Sequence, residues 1–299
     1  MHELVVISGK GGTGKTSLLA SIAVLSSNAV IADCDVDAAD LHLLLKPDVK
    51  EHHEFIGGRV AQILQSKCRG CGECLKLCRF DAIRAYRNGR GERVFSVDPL
   101  SCEGCSVCVR FCPACAVDFK TRTSGEWFIS MTRCGPMVHA KLGVASSNSG
   151  KLVSLVRKRS REIAEESNRE LLLADGSPGI GCPVIASITG SDAALLVGEP
   201  SLSGLHDLKR VLDLTIHFGI PAFVCVNKWD INKELSEEIE ELALSKGAFF
   251  AGRVRYDRGV TGAQLEGKTA VETNTPASED IKKIWDYINT RLKGGRLCA

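Results

Sequence analysis

The stretch Gly9-Lys10-Gly11-Gly12-Thr13-Gly14-Lys15-Thr16 decides the fold of this chain. It fits the phosphate-binding pattern GxxxxGK[ST], follows the apolar run 4–7 and precedes a helical pattern that begins at Lys15. Glycines let backbone N–H groups turn toward phosphate oxygens, and the amino-terminal end of the helix adds a favourable partial charge. The sequence therefore predicts a strand–loop–helix unit that binds a nucleoside triphosphate.

Apolar runs alternate with amphipathic patterns on both sides of residues 61–119. The expected strands are 4–7, 29–32, 171–174, 193–197 and 222–226, and the expected helices are 15–26, 151–168, 202–218, 233–246 and 278–292. Continuous apolar strands between amphipathic helices are typical of a parallel sheet covered on both faces. We therefore expect an α/β domain with a mostly parallel, doubly wound P-loop NTPase sheet, formed by residues 1–60 and 120–299.

Residues 61–119 contain two cysteine runs of one spacing. The runs are Cys68-x2-Cys71-x2-Cys74-x3-Cys78 and Cys102-x2-Cys105-x2-Cys108-x3-Cys112, the second followed by Pro113. In bacterial two-cluster ferredoxins, which share this spacing, three cysteines of a run bind one [4Fe–4S] cluster and the fourth binds the other. We therefore predict cluster I on Cys68, Cys71, Cys74 and Cys112, and cluster II on Cys102, Cys105, Cys108 and Cys78. The predicted insert is a small α+β ferredoxin-like domain.

Composition narrows the class of protein. The chain has 299 residues, of which 25% are charged and 44% apolar, as in ordinary soluble proteins. A net charge of +2 gives no basis for a nucleic-acid partner. No apolar run reaches the roughly 18 residues that span a bilayer, and the first residues enter a strand without a signal peptide. We expect a cytoplasmic protein without a nucleic-acid partner and without membrane attachment.

The 14 cysteines favour ligation over disulfides, because the cytosol keeps thiols reduced. A zinc ribbon is the alternative use of CxxC pairs. Zinc takes four ligands from two separated pairs, however, and leaves the remaining cysteines of each run without a role. Two iron–sulfur clusters account for all eight cysteines of the runs.

Three segments resemble the MinD/ParA superfamily of P-loop ATPases: the phosphate-binding loop, the acidic run 33–37 (Asp-Cys-Asp-Val-Asp) and the stretch 175–179 (Asp-Gly-Ser-Pro-Gly). The resemblance covers nearly the whole chain and is closest to members with an inserted ferredoxin domain. It implies a deviant Walker A loop with a signature lysine, here Lys10, and an ATP-dependent homodimer in which Lys10 contacts the phosphates of the opposite subunit. Mrp-type proteins and the nitrogenase iron protein have a related scaffold.

Chemistry and position assign further roles around the loop. Lys15 is expected to reach the β- and γ-phosphates and Thr16 to bind Mg²⁺. Asp175, which ends an apolar strand, is the expected Walker B carboxylate, and Asp33 is a further candidate for Mg²⁺. Asp35 resembles the switch I carboxylate that orients the attacking water, a role that Asp33 or Asp37 could share. Asn227 and Lys228 close another strand, and the amide of Asn227 suits the edge of adenine.

The leading hypothesis is a probable ATPase that couples nucleotide-dependent dimerisation to electron transfer through two [4Fe–4S] clusters toward an unidentified redox partner. A cluster carrier or assembly ATPase of the Mrp type is one alternative. A MinD-like positioning ATPase with structural clusters is another. An amide-forming synthetase on the same fold would need a glutaminase unit that the sequence lacks.

Two further patterns allow more than one interpretation. Cys182 follows Asp175 at the offset where the nitrogenase iron protein has a cysteine for a cluster shared between subunits, but we expect a buried apolar thiol and no third cluster. Near the carboxyl end, the apolar stripe Ile281, Ile284, Trp285, Ile288 and Leu292 fits either a membrane-binding helix or packing on the sheet. We expect packing.

Overall fold

The structure, a computed structural model, describes residues 1–143 and 149–294. Its strands are His2–Ile7 (β1), Ala29–Asp33 (β2), Asp48–Ile63 (β3), Ile83–Arg87 (β4), Arg93–Val97 (β5), Val117–Thr132 (β6), Gly135–Leu142 (β7), Leu171–Asp175 (β8), Ala193–Gly198 (β9), Ala222–Asn227 (β10) and Phe249–Val254 (β11). Its helices are Lys15–Leu25 (α1), Leu41–Leu45 (α2), Glu73–Leu77 (α3), Val107–Arg110 (α4), Ser149–Glu166 (α5), Cys182–Ile188 (α6), Leu202–His217 (α7), Lys233–Ser245 (α8), Arg258–Leu265 (α9) and Pro276–Lys293 (α10).

A nine-stranded sheet runs in the order β11-β10-β9-β1-β8-β2-β7-β6-β3. All neighbouring strands from β11 to β7 pair in parallel. This confirms the predicted α/β P-loop fold with a mostly parallel central sheet. The strands β3, β6, β7 and β11 were not predicted as part of the sheet. Exposed residues interrupt the buried ones along β3 and β6, so neither strand has the continuous apolar run that marks a buried strand.

The chain divides into two units. The α/β unit contains residues 1–53 and 127–141 and the described residues from 149 onward, and the cysteine unit contains residues 54–126 with 142–143. The insert boundaries predicted from the sequence, 61 and 119, lie inside strands β3 and β6.

The core of the α/β unit lies on both sides of its parallel strands. Four residues of β1, Leu4 to Ile7, are fully buried, as expected for a central strand. The apolar stripe of α10 belongs to the same core: Ile281, Ile284, Trp285, Ile288 and Leu292 are all buried. Packing therefore accounts for the stripe, in agreement with the expectation. No helix in the ranges that the structure describes is long and apolar enough to cross a membrane.

The cysteine unit has a separate, small core. Strands β4 and β5 form an antiparallel hairpin. Phe95 is fully buried beside Ala61, Ile63, Ile83 and Val117, and six of the eight cysteines of the runs pack against this cluster.

The two halves of the cysteine unit repeat each other in backbone conformation as well as in sequence. The matched residues Gly70 and Gly104, Gly72 and Ser106, and Asp81 and Cys115 all have positive φ. Matched hydrogen bonds run from Leu64 N to Ala116 O at 2.8 Å and from Asp98 N to Ala82 O at 2.7 Å. Each half therefore donates to the other in the same way. Because non-glycine residues rarely adopt positive φ, their recurrence at matched positions marks a true structural repeat.

Candidate functional site

The phosphate-binding loop lies between β1 and α1 and needs glycine at two contact points. A Cβ on Gly9 would lie 2.5 Å from Asp207 Cβ, and a Cβ on Gly14, whose φ is +90°, would lie 2.2 Å from Asn227 Nδ2. Residues 11–16 line one cleft together with Asp35, Asn227 and Lys228. The structure thus brings most of the predicted nucleotide-binding residues to one cavity.

Lys15 is held by two of the predicted carboxylates. Its Nζ lies 2.6 Å from Asp175 Oδ1 and 3.4 Å from Asp35 Oδ2, and only 6% of the Lys15 side chain is exposed. Burial alone would lower the pKa of Lys15, but the charges of Asp175 and Asp35 raise it. The lysine is therefore a cation at neutral pH. Burial raises the pKa of Asp35, and the Lys15 ammonium offsets part of this effect.

Thr16 and Asp175 have the geometry of neighbouring magnesium ligands. The Thr16 hydroxyl donates to Asp175 Oδ2 at 2.8 Å. Adjacent oxygens in an octahedral Mg²⁺ shell are about 2.9 Å apart, since each lies about 2.05 Å from the metal. These two residues fit the ion without a change in their spacing.

Asp33 lies deeper than the other acidic residues. It is fully buried, and its Oδ1 accepts from Asp35 N at 3.2 Å. Within the described chain its Oδ2 has no hydrogen-bond partner. Burial, with the charge of Asp175, raises the pKa of Asp33 well above its ordinary value. Thr16 and Asp175, whose oxygens lie 2.8 Å apart, fit the ion better than this fully buried carboxyl does.

The Thr13 hydroxyl is a polar group without a partner in the loop. Thr13 is 3% exposed, and its Oγ1 makes no hydrogen bond within residues 1–143 and 149–294. A buried hydroxyl without a partner costs about 1–3 kcal/mol. A phosphate oxygen bound in the loop would satisfy it.

Lys10 points away from this cluster, toward the start of α7. Its Nζ lies 2.5 Å from Glu199 Oε1 and donates to Ser201 Oγ at 3.1 Å and Ser203 Oγ at 2.9 Å. Lys228 Nζ lies 3.8 Å from Glu199 Oε2. The signature lysine is therefore held within its own chain by three side chains, none of which was predicted as a site residue.

Asn227 is attached to the phosphate-binding loop. Its Nδ2 donates to Thr13 O at 2.7 Å, and its Oδ1 accepts from Lys228 N at 3.0 Å. Lys228 Nζ donates to Gly12 O at 3.2 Å. The two residues fix the loop from the end of β10, so reading a base would require the amide of Asn227 to exchange its present partners.

The cleft has lining residues that the sequence did not reveal. Tyr256, just beyond β11, is 51% exposed and borders the cleft, as does Gln264, which donates to Ser17 Oγ at 2.5 Å. The apolar run 249–251 is a signal that could have indicated β11. With that strand predicted, Tyr256 would have been expected at the same edge of the sheet as Asp175 and Asn227.

The eight cysteines of the runs form two sets in the cysteine unit. Set I is Cys68, Cys71, Cys74 and Cys112, which line one cavity. Set II is Cys78, Cys102, Cys105 and Cys108, which line a second cavity. Each set takes its fourth thiol from the other run.

Electrostatics connects the members of each set. Burial raises the pKa of Cys74, and the charges of Cys68, Cys71 and Cys112 add to this effect. Burial raises the pKa of Cys108 to about 11, and Cys102, Cys105 and Cys78 contribute to the increase. Four crowded thiols resist joint deprotonation unless a positively charged group lies between them.

The donor sets fit iron–sulfur chemistry. Soft thiolates are the usual ligands of such clusters, and apolar side chains such as Ile63 and Phe95 line the wall of set I. Ala116 N donates to Cys112 Sγ at 3.3 Å. Among the described residues, no group of three or more His, Cys, Asp or Glu side chains is arranged to hold a metal ion.

Cys182 differs from the expectation. It is exposed at the start of α6, not buried among apolar residues. The buried residues of α6 are Val184, Ser187 and Ile188, and Cys182 lies before this face. The structure therefore corrects the prediction of a buried thiol.

The fold and the site together define a P-loop nucleotide-binding protein. Residues 4–271 match the family described as the CobQ/CobB/MinD/ParA nucleotide binding domain, and the chain belongs to this family. It is a MinD/ParA-type P-loop NTPase.

Relatives and solved structures agree with this assignment. The chain is 34% identical over 292 residues to the uncharacterized protein MJ0578 of Methanocaldococcus jannaschii, with 96% of each chain covered. The septum site-determining protein MinD of Pyrococcus horikoshii, complexed with Mg-ADP, has a TM-score of 0.60 at 15% identity and covers 99% of this chain and 98% of its own. The cell division ATPase MinD of Pyrococcus furiosus has a TM-score of 0.58 at 16% identity, with 97% and 98% covered. Both structures share the fold.

Proposed function

We propose that this protein binds and hydrolyses ATP with Mg²⁺, dimerises in its ATP-bound state, and couples this cycle to electron transfer through two [4Fe–4S] clusters. One observation carries the proposal: a single chain contains a phosphate-binding cleft and two sets of four thiols. Each set contains three thiols from one cysteine run and its fourth from the other run, the arrangement that the spacing predicts.

The residues around the cleft supply the nucleotide chemistry. Lys15 binds the β- and γ-phosphates once the triphosphate replaces Asp175 and Asp35 as its partner. Thr16 and Asp175 bind Mg²⁺, with their oxygens 2.8 Å apart. Asp35 orients the attacking water, and Thr13 donates its free hydroxyl to a phosphate oxygen. The amide of Asn227 reads the base, with Lys228 beside it.

Dimerisation follows from the position of Lys10. In the single chain, Glu199, Ser201 and Ser203 satisfy its ammonium. In an ATP-bound dimer, the phosphates of the second copy would compete for the same charge. This exchange makes the ATP-bound state the one that favours association, because only a difference in affinity between two states shifts their populations.

The thiol sets support the redox part of the proposal. Each thiolate of a [4Fe–4S] cluster binds a different iron, so such ligands surround a cavity instead of meeting at one ion. Sets I and II each surround a cavity of this kind. When bound, the clusters supply one-electron transfer. The chain itself holds the thiols in place, excludes water with the residues around Phe95, and donates N–H groups to sulfur.

The deciding experiment is anaerobic purification followed by iron, sulfide and nucleotide analysis. We expect about eight iron and about eight sulfide per chain, since each cluster holds four of each. Reduction potentials are then measured with and without Mg-ATP, and mass in solution with and without a non-hydrolysable analogue. Absence of sulfide would disprove the clusters, and unchanged potentials would disprove coupling.

A MinD-like positioning ATPase with structural clusters is the second candidate, favoured by the likeness to MinD structures. Clusters that resist reduction, in a chain that still dimerises with ATP, would support it. An Mrp-type cluster carrier would instead transfer labelled iron from the loaded chain to an apo acceptor.

A further inference from the structure

The structural repeat of the cysteine unit allows its two thiol sets to be compared position by position. Set I and set II have equal numbers of thiols, each around a cavity of its own. The hydrogen bonds and charges at matched positions are where the two sets can be compared directly. Both factors set the reduction potential of an iron–sulfur cluster.

Backbone hydrogen bonds favour set I. Ala116 N donates to Cys112 Sγ at 3.3 Å. In the described part of the chain, the matched residue Ala82 makes no such bond to Cys78 in set II. An N–H donor stabilises the more negative, reduced form of a cluster, and so raises its potential.

Side-chain charges act in the same direction. Arg69 lines the cavity of set I, and the residue at the matched position in set II is Glu103. Lys76 on α3 and Arg110 on α4 occupy matched positions, so these two cations largely cancel. Glu73 also lines set I, pairs with Lys76 at 2.8 Å and has the neutral Val107 as its match, so it reduces the charge difference without removing it. Cations beside a cluster stabilise the added electron, and an anion opposes it.

Two arginines at matched positions largely cancel in this comparison. Arg93 lies over the ring of Phe95 at 5.1 Å in the wall of set I, and Arg59 lies over Phe119 at 5.6 Å in the wall of set II. Each set therefore has one stacked guanidinium. The difference that remains is Arg69 with Glu73 in the lining of set I against Glu103 alone in that of set II, together with the N–H donor at Cys112.

We propose that the two sets are electronically unequal: a cluster held by set I has the higher reduction potential, and the first electron to enter the cysteine unit rests there. This inference depends on the proposed function, because it assumes that both sets hold clusters. The exposed thiols Cys71 and Cys105 give each set its own approach from solvent. The potential difference then gives transfer between the sets one favoured direction, from set II to set I.

The test is a mediated redox titration of the anaerobic full-length protein, followed by low-temperature electron paramagnetic resonance. We expect two separate one-electron steps. Arg69→Glu should lower only the higher of the two reduction potentials. Glu103→Arg should raise only the lower one. Each change should therefore reduce the difference between the two potentials. Arg210→Glu on α7 changes the charge equally within the α/β unit and should leave both steps in place.

Iron and sulfide contents equal to those of the wild type show that each variant is loaded. Two clusters that titrate at one potential would overturn the inference, as would Arg69→Glu moving the lower step. Either result would leave the proposed function intact. A protein without sulfide would overturn both.

Discussion

Lys15 is the residue on which the nucleotide site depends most. Its ammonium lies between Asp175 and Asp35, two carboxylates that are nearly inaccessible to water. A charge buried in this way is tolerated only with a partner. The Lys15 ammonium thus offsets the negative charge of the two carboxylates in the unliganded site. The same cation is the one proposed to bind phosphate.

Lys15→Ala should abolish tight Mg-ATP binding. A hydrogen bond to a charged group contributes about 1.5–3 kcal/mol, so we expect a loss of about 10-fold to about 150-fold in affinity. Isothermal titration calorimetry measures it. Lys246→Ala, which breaks only a partly exposed pair with Asp213, is the matched control and should bind normally. Undiminished binding by Lys15→Ala would rule out its role at the phosphates.

Lys10→Ala should separate binding from dimerisation. Lys10 contacts Glu199 and two serines and does not line the cleft of its own chain. We therefore expect the variant to bind Mg-ATP within about 3-fold of the wild type, well under 1 kcal/mol. It should remain monomeric with a non-hydrolysable analogue, as measured by light scattering. Lys209→Ala, an exposed change on α7, is the control and should dimerise normally. A Lys10→Ala variant that still dimerises would contradict the proposal that Lys10 exchanges its own-chain partners for the phosphates of the second copy.

At the scale of elements, a capping turn connects the start of α10 to the β6–β7 hairpin. Thr269 N donates to Glu272 Oε2 at 2.7 Å, and Arg133 in the hairpin turn donates to both oxygens of Glu272. Burial alone would raise the pKa of Glu272, but the hydrogen bonds from Arg133 and Thr269 lower it to about 2 from its ordinary value of 4.5.

Glu272→Gln should therefore destabilise the protein in a pH-dependent way. Since the pKa is lower in the folded state, the ionised carboxylate stabilises the fold fully above pH 4.5, and this contribution is lost as the pH falls toward about 2. Urea unfolding at several pH values measures the difference between wild type and variant. The difference should be constant from pH 7 to 5 and shrink below 4.5. A difference that does not change with pH would show that shape, and not charge, stabilises the turn.

The apolar face of α10 gives a second prediction at this scale. Trp285 is 5% exposed within the main core, so Trp285→Ala should cost about 3–5 kcal/mol of the free energy of unfolding. Lys282→Ala, one turn away on the exposed face, should stay within about 0.5 kcal/mol. Denaturant titration compares the two. Similar losses of unfolding free energy in the two variants would mean that the apolar stripe of α10 does not pack as described.

At the scale of the whole molecule, the proposed coupling requires ATP affinity and cluster potential to be linked reciprocally. If Mg-ATP shifts the potentials, reduction must change ATP affinity by the same free energy, typically about 1–3 kcal/mol. Calorimetry on oxidised and dithionite-reduced protein tests this. A chain with Cys74→Ser and Cys108→Ser should show no such difference. Equal affinities in both redox states of the intact protein would exclude coupling.

Much of this organisation was predictable from the sequence. The apolar runs identified the central parallel strands, and the loop fixed where phosphate binds. The sequence did not reveal β3 and β6, because these partly exposed strands lack a continuous apolar run. It also did not reveal the partners of Lys10, since Glu199, Ser201 and Ser203 come near it only through the sheet order that places β9 beside β1.

Cysteine spacing predicted which thiols would gather, but not that their surroundings differ. That difference depends on which backbone N–H groups face sulfur, as Ala116 does at Cys112, and on which charges line each wall. Neither is encoded by spacing. The same holds for Asn227. Its position at the end of a strand was predictable from the sequence, but its hydrogen bond to Thr13 O was not, because the fold brings the two residues together.

The exchange of fourth thiols between the two runs has a consequence for durability. Neither run supplies four thiols to one set, so under the proposed function each cluster needs cysteines from both runs. Loss of one cluster to oxygen would release a run that also holds the other cluster. We therefore expect both clusters to be lost together in air, with few molecules that keep only one.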